Sequence, residues 1–128
     1  MKNLLLIFTL LVSTVFFSSP SYAGWTKLGE NVDGDTYYID YESIRKHDGF
    51  VYFWRLSDYL KPTKTGMLSA KAYHQVDCKS FRFKDLSFSS YKEPMGGGTA
   101  EDFTPPDKWI YPRPNSVNET ILKKVCNR

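Results

Sequence analysis

The sequence predicts an α+β fold: an antiparallel β-sheet of about five to six strands, with a C-terminal helix packed on one face and tied by a disulfide. Three observations predict it. Met67 to Asp77 alternates side chains with a period of two, the signature of a half-buried strand. The segment from Ser116 onward opens on a helix-capping pattern and then repeats apolar residues at helical spacing. Two cysteines, Cys78 and Cys126, each close one of those periodic segments.

Residues 1–23 read as an export signal. Lys2 supplies the positive start, Leu4 to Phe17 the apolar stretch, and Ser21-Tyr22-Ala23 the small residues of a cleavage site before Gly24. The apolar stretch is short for a bilayer span and carries Thr9, Ser13 and Thr14. The expectation is a cleaved signal, a single domain over residues 24–128, and a periplasmic or secreted product with no membrane anchor. No cysteine sits near the cleavage site to carry a lipid.

Along residues 24–128, Trp25 to Leu28 reads as a short strand and Gly29 to Gly34 as a turn region ending in Asp33-Gly34. Thr36 to Asp40 is a strand of β-favouring residues, and Tyr41 to Ile44 a single helical turn. Asp48-Gly49 reverses the chain into a long aromatic strand from Phe50 to Leu60. Pro62 and Gly66 mark the next turn.

The strand Met67 to Asp77 places Leu68, Ala70, Ala72, His74 and Val76 on one face, with Cys78 following in phase. After a tight turn near Cys78-Lys79, a third long strand runs from Ser80 to Tyr91, with Phe81 and Phe83 facing inward. Lys92 to Lys108 reads as a loop, given Pro94, Gly96-Gly97-Gly98 and Pro105-Pro106, with a short strand near Trp109 to Tyr111. In the terminal helix Ser116 caps Glu119, and Val117, Ile121, Leu122, Val125 and Cys126 share one face. Lys123 and Lys124 suit its C-terminal end.

Cys78 and Cys126 thus both point inward, and an exported chain with an even cysteine count favours one structural disulfide between them. There is no Cys-x-x-Cys and no His at ligand spacing from either cysteine. The 17 Lys and Arg fall to 16 without Lys2, against 14 Asp and Glu, a balance too even for a nucleic-acid binder. Gly96-Gly97-Gly98 lacks the Lys-Ser/Thr of a phosphate loop, and Asp33, Asp35 and Asp40 do not fit a calcium loop. No hydrolase, metalloprotease or triad motif is visible, so the reading is of a non-enzyme without a cofactor.

Several pieces then fall in a recognisable order: Gly34-Asp35, Tyr38-Ile39-Asp40, Ser43-Ile44-Arg45, Val51, Trp54 and Asp77-Cys78-Lys79. The glycines near Gly96, then Trp109, Pro114, Ser116, Glu119 and Val125-Cys126 follow. Together they resemble the bacterial surface-adhesin protein E-like domain family, over nearly all of residues 24–128. The resemblance implies an antiparallel sheet with a C-terminal helix tied by the cysteines. It also implies binding of host extracellular-matrix and serum proteins, and a link to haem.

The candidate partner-binding face is the outer side of the sheet. A meander of the three long strands is expected to gather Arg55, Lys71, Arg82 and Lys84 there, interleaved with Phe53, Tyr59 and Tyr73. The ordinary alternative is a solvated sheet face covered by long side chains. His74 on the inner face is a core histidine, or a haem ligand with a nearby Tyr. His47 falls in a turn. The function these residues suggest is an exported binding domain for an envelope or host protein, with homodimerisation possible through a face or strand edge. The alternative is a periplasmic carrier of a small molecule of the haem type.

Overall fold

The computed structural model describes residues 24–128; the export signal read from residues 1–23 lies outside the described residues. Among the described residues, seven strands and one α-helix follow in order: β1 Trp25–Glu30, β2 Thr36–Asp40, β3 Arg45–His47, β4 Phe50–Asp58, β5 Ser69–Asp77, β6 Arg82–Tyr91, β7 Ala100–Phe103 and α1 Val117–Cys126. They form a single antiparallel sheet in the order β1-β2-β4-β5-β6-β7. The short β3 pairs with the same strand as β2, through Arg45↔Tyr52 and His47↔Phe50, while β2 takes the rest of β4. A 3₁₀ turn at Tyr41–Ser43, capped by Asp40 Oδ1 on the Glu42 N–H, separates the two.

The long strands lie where their alternation predicts, with ends that differ by a few residues. β7 lies inside the segment read as loop. All four of its residues are exposed, so no burial period marks it in the sequence. The strand expected near Trp109 is a single bridge, in which Ile110 and Phe83 exchange backbone hydrogen bonds of 2.8 and 2.9 Å.

Ser116 caps α1 as its sequence suggests, with Oγ accepting the Glu119 N–H at 3.2 Å. Glu119 reaches back one residue further than a standard capping box, to the Asn115 N–H at 3.3 Å. The apolar stripe of α1 lies on one end of the sheet's inner face, where Ile121, Leu122 and Val125 close a core with Ile39, Val51, Phe53, Val76 and Phe83. The Cys78–Cys126 disulfide, with Cα atoms 5.6 Å apart, fastens the helix end to the β5–β6 turn.

Pairing register decides which face each residue occupies. Phe53 pairs with His74 and Arg55 with Ala72, so both belong to the inner face. The expectation that Phe53 and Arg55 share a face with Lys71 and Tyr73 is therefore corrected: Lys71 and Tyr73 point the other way. Phe53, at 1% exposure, is core. In β6 the register jumps between the pairs His74↔Asp85 and Tyr73↔Ser87, leaving Leu86 as an unpaired bulge residue at 42% exposure. The bulge resets the alternation, so Phe83, Asp85, Phe88 and Ser90 all lie on the inner side.

Candidate functional site

The two faces of the sheet carry different chemistry. On the outer face, every second residue at the start of β4 is aromatic: Phe50, Tyr52 and Trp54. Tyr73 from β5 lies among them, its ring centroid 4.9 Å from that of Trp54 and 6.1 Å from that of Tyr52. Trp54 keeps 36% of its surface exposed.

The expected cations Lys71, Arg82 and Lys84 are on this face, each against an aromatic ring. Lys71 Nζ lies 5.2 Å from the Tyr91 ring and 5.9 Å from that of Trp25. Arg82 and Lys84 approach the ring of Trp109, at 4.4 and 4.7 Å. Arg82 also pairs with Asp77 at 3.0 Å, and Lys84 with Asp107 at 2.8 Å. Arg82 holds the Asp77 carboxyl below the usual range. These are aromatic-backed cations, two of them already neutralised, so the face is an aromatic strip with a basic fringe.

One end of that face is covered. The chain after β6 folds over it: Ser69 Oγ donates to Glu93 O at 2.7 Å and accepts the Gly96 N–H at 2.8 Å, while Asp58 Oδ1 accepts the Met95 N–H at 2.8 Å. Gly96 has a φ of +74°, and a Cβ there would come within 2.5 Å of Lys71 Cε. Leu56 and Ser69 are fully buried at this end.

The inner face holds the second site. Because α1 covers only one end of the sheet, the other end is an open cleft of about 280 Å³. Arg55 stands where helix and cleft meet. Its Nη1 donates to Asn118 Oδ1, its guanidinium carbon lies 4.9 Å from the Tyr37 ring centroid, and its Nε is enclosed with no partner. Burial pulls the Arg55 pKa down, with Tyr37, Tyr59 and Asp85 opposing, and pushes the Tyr59 phenol up against the pull of Arg55.

His74, 4% exposed, packs against the rings of Phe53 and Phe83, with centroids 5.1 and 5.4 Å away. Its Nδ1 is 2.8 Å from Asp85 Oδ1, a close ionic approach that lacks the alignment of a hydrogen bond, and its Nε2 is buried without a partner. Burial lowers the His74 pKa more than Asp85 raises it; in return His74 lowers that of Asp85. A buried Nε2 flanked by two phenylalanines leaves no open ring nitrogen for a haem iron. His47 is exposed beside Asp48, at 3.1 Å.

Sequence reasoning missed Trp25, Tyr52, Trp54 and Trp109 as members of the outer face, and Tyr37, Asp85 and Asn118 as members of the cleft. The alternation of Phe50, Tyr52 and Trp54 was a readable signal for part of the first group. The second group depends on register, the β6 bulge and the placement of α1, which no local pattern encodes.

A family model described as surface-adhesin protein E matches residues 25–127. The chain belongs to the surface-adhesin protein E family. Solved structures of Haemophilus influenzae protein E share its fold. Crystal form II is 21% identical, with 84% of this chain and 91% of that chain covered and a TM-score of 0.61. Protein E from non-typeable Haemophilus influenzae is 21% identical, with 86% and 79% covered and a TM-score of 0.55. Comparison with curated proteins returned no match. The family is one of surface adhesins, which suggests a non-enzymatic binding role. No helix among the described residues is long and apolar enough to cross a membrane.

Proposed function

We propose that this surface-adhesin protein E family member is an exported, non-catalytic binding domain that holds a protein partner on the outer face of its sheet. The observation that carries the reading is the half-exposed cluster of Tyr52, Trp54 and Tyr73, bordered by Lys71, Arg82 and Lys84. Tyr, Trp and Arg are the residues that dominate contact energies at protein interfaces, because they bring large rigid surfaces at low conformational cost. A partner with a partly apolar surface suits an aromatic strip whose bordering Arg82 and Lys84 are already paired with Asp77 and Asp107.

The face is a better contact than the sheet edges. β7 exposes Glu101 and Asp102, and β1 carries the Lys27–Glu30 ion pair, charges that discourage strand addition. The disulfide is consistent with the oxidising compartment that an exported protein reaches. An envelope or host extracellular protein is therefore the partner class, with a second copy of the chain as a related occupant.

The test is binding to immobilised extracellular-matrix and serum proteins and to envelope extract, comparing the natural chain with a Trp54→Ala/Tyr73→Ala double variant. The variant is expected to lose at least about tenfold in affinity, since truncating a hot-spot aromatic at an interface costs about 2 kcal/mol or more. Retained affinity in a folded double variant rejects this face.

A further inference from the structure

The inner cleft contains a cation, Arg55, that makes no ion pair at contact distance. Arg55 is drawn into the protein with its Nε enclosed and unpartnered, and Nη1 is met only by the neutral amide oxygen of Asn118. Among the described residues no carboxylate lies within ion-pair distance of it. Asp85, the acidic side chain on the cleft wall, is directed at His74. A half-buried cation with no carboxylate at ion-pair distance is costly, and a guanidinium N–H forms a strong charge-assisted hydrogen bond to a carboxylate.

Beside that guanidinium the floor of the cleft is hollow. The central strand β5 presents Ala70 and Ala72 inward, small side chains where a core strand commonly carries branched ones, with Phe88 and Ile110 also on the cleft lining. Tyr37 and Tyr59 add phenol groups near Arg55. The cleft thus combines a cationic end with an apolar end. At about 280 Å³ it falls at the lower limit of small-molecule pockets, which suits a ligand of about amino-acid size and not a macrocycle.

We propose that this cleft binds small hydrophobic carboxylates, with the carboxylate on Arg55 and an aryl or branched alkyl body over Ala70 and Ala72. The site is separate from the outer protein-binding face and does not depend on it.

Phenylacetate serves as the probe and its neutral isostere phenylacetamide as the control, titrated into the purified protein and followed by amide chemical shifts. Phenylacetate is expected to produce saturable shifts at Ala72 and Phe88, with phenylacetamide weaker by at least about tenfold, the value of a charge-assisted pair. Arg55→Gln is expected to weaken phenylacetate by a similar factor. Ala72→Leu, which fills the hollow and leaves Arg55 in place, abolishes binding even if the Arg55 variant fails to fold. The Trp54→Ala/Tyr73→Ala variant binds phenylacetate normally. Equal binding of acid and amide, or no saturable shift at millimolar phenylacetate, overturns the proposal.

Discussion

Arg55, in the middle of β4, donates a hydrogen bond from Nη1 to Oδ1 of Asn118 in the first turn of α1. The helix is therefore held at both ends, by this bond at its start and by Cys78–Cys126 at its finish. The same bond closes one side of the cleft. Asn118→Ala leaves the guanidinium with less compensation and is expected to cost about 2 kcal/mol, the usual worth of a hydrogen bond to a charged group. Asn118→Asp recovers that loss by pairing with Arg55 and by placing a carboxylate in the first helical turn. It also competes for the charge that phenylacetate needs. Chemical denaturation of both variants checks the order.

The disulfide closes a 48-residue separation. Chain-entropy reasoning gives such a crosslink about 4 kcal/mol, mostly by restricting the unfolded chain. Cys78→Ser/Cys126→Ser is expected to lose roughly that amount. Hydrogen exchange in the variant should rise first in α1 and last in β4 and β5. Uniform acceleration throughout the sheet would show that the bond stabilises the domain as a whole and does not specifically pin the helix.

His74 gives the domain a pH dependence. Burial lowers its pKa from the ordinary value of 6.5, so the folded state takes up that proton less readily than the unfolded chain. Its contribution to stability is unchanged above the unfolded value and falls as pH drops below 6.5 toward the folded one. Asp85 acts lower: its folded pKa is depressed, so the stability it adds is present above 3.8 and lost as pH falls through the folded value. Melting temperature should decline between neutrality and about pH 5, and His74→Gln should flatten that decline. An unchanged slope in the variant contradicts it.

Face assignment is testable by stability alone. Phe53 is buried among Ile121, Leu122 and Val76, and Phe53→Ala is expected to cost about 3–5 kcal/mol. Tyr73 stacks on the outer surface against Trp54 and Tyr52, and Tyr73→Ala should cost about 1–2 kcal/mol, the scale of two aromatic pairs and less than the loss at Phe53. Urea unfolding of the two variants separates core from surface.

Ser69 ties down the segment that covers one end of the outer face. Its Oγ serves both the Glu93 carbonyl and the Gly96 N–H from a fully buried position. Ser69→Ala orphans both groups and is expected to cost about 1–3 kcal/mol. The loss should appear as faster exchange at residues 95–97, with β4 and β5 protected as before.

The scaffold was written in local patterns of the chain. The period of two in Ser69–Asp77, the Ser116 cap and the apolar stripe of α1 are local patterns, and each element formed where its pattern lay. The inward phase of Cys78 and Cys126 follows from the same two periods, which is why their bond was legible. The sites came from strand pairing and helix placement. Register across β4 and β5 sent Arg55 and Phe53 inward while Lys71 and Tyr73 went outward, and one inserted residue at Leu86 kept Asp85 and Phe88 on the same side. The short α1 left one end of the inner face uncovered, making a cleft from residues far apart in the chain. Alternation says that neighbours in a strand face opposite ways; only pairing to the next strand says which way is in.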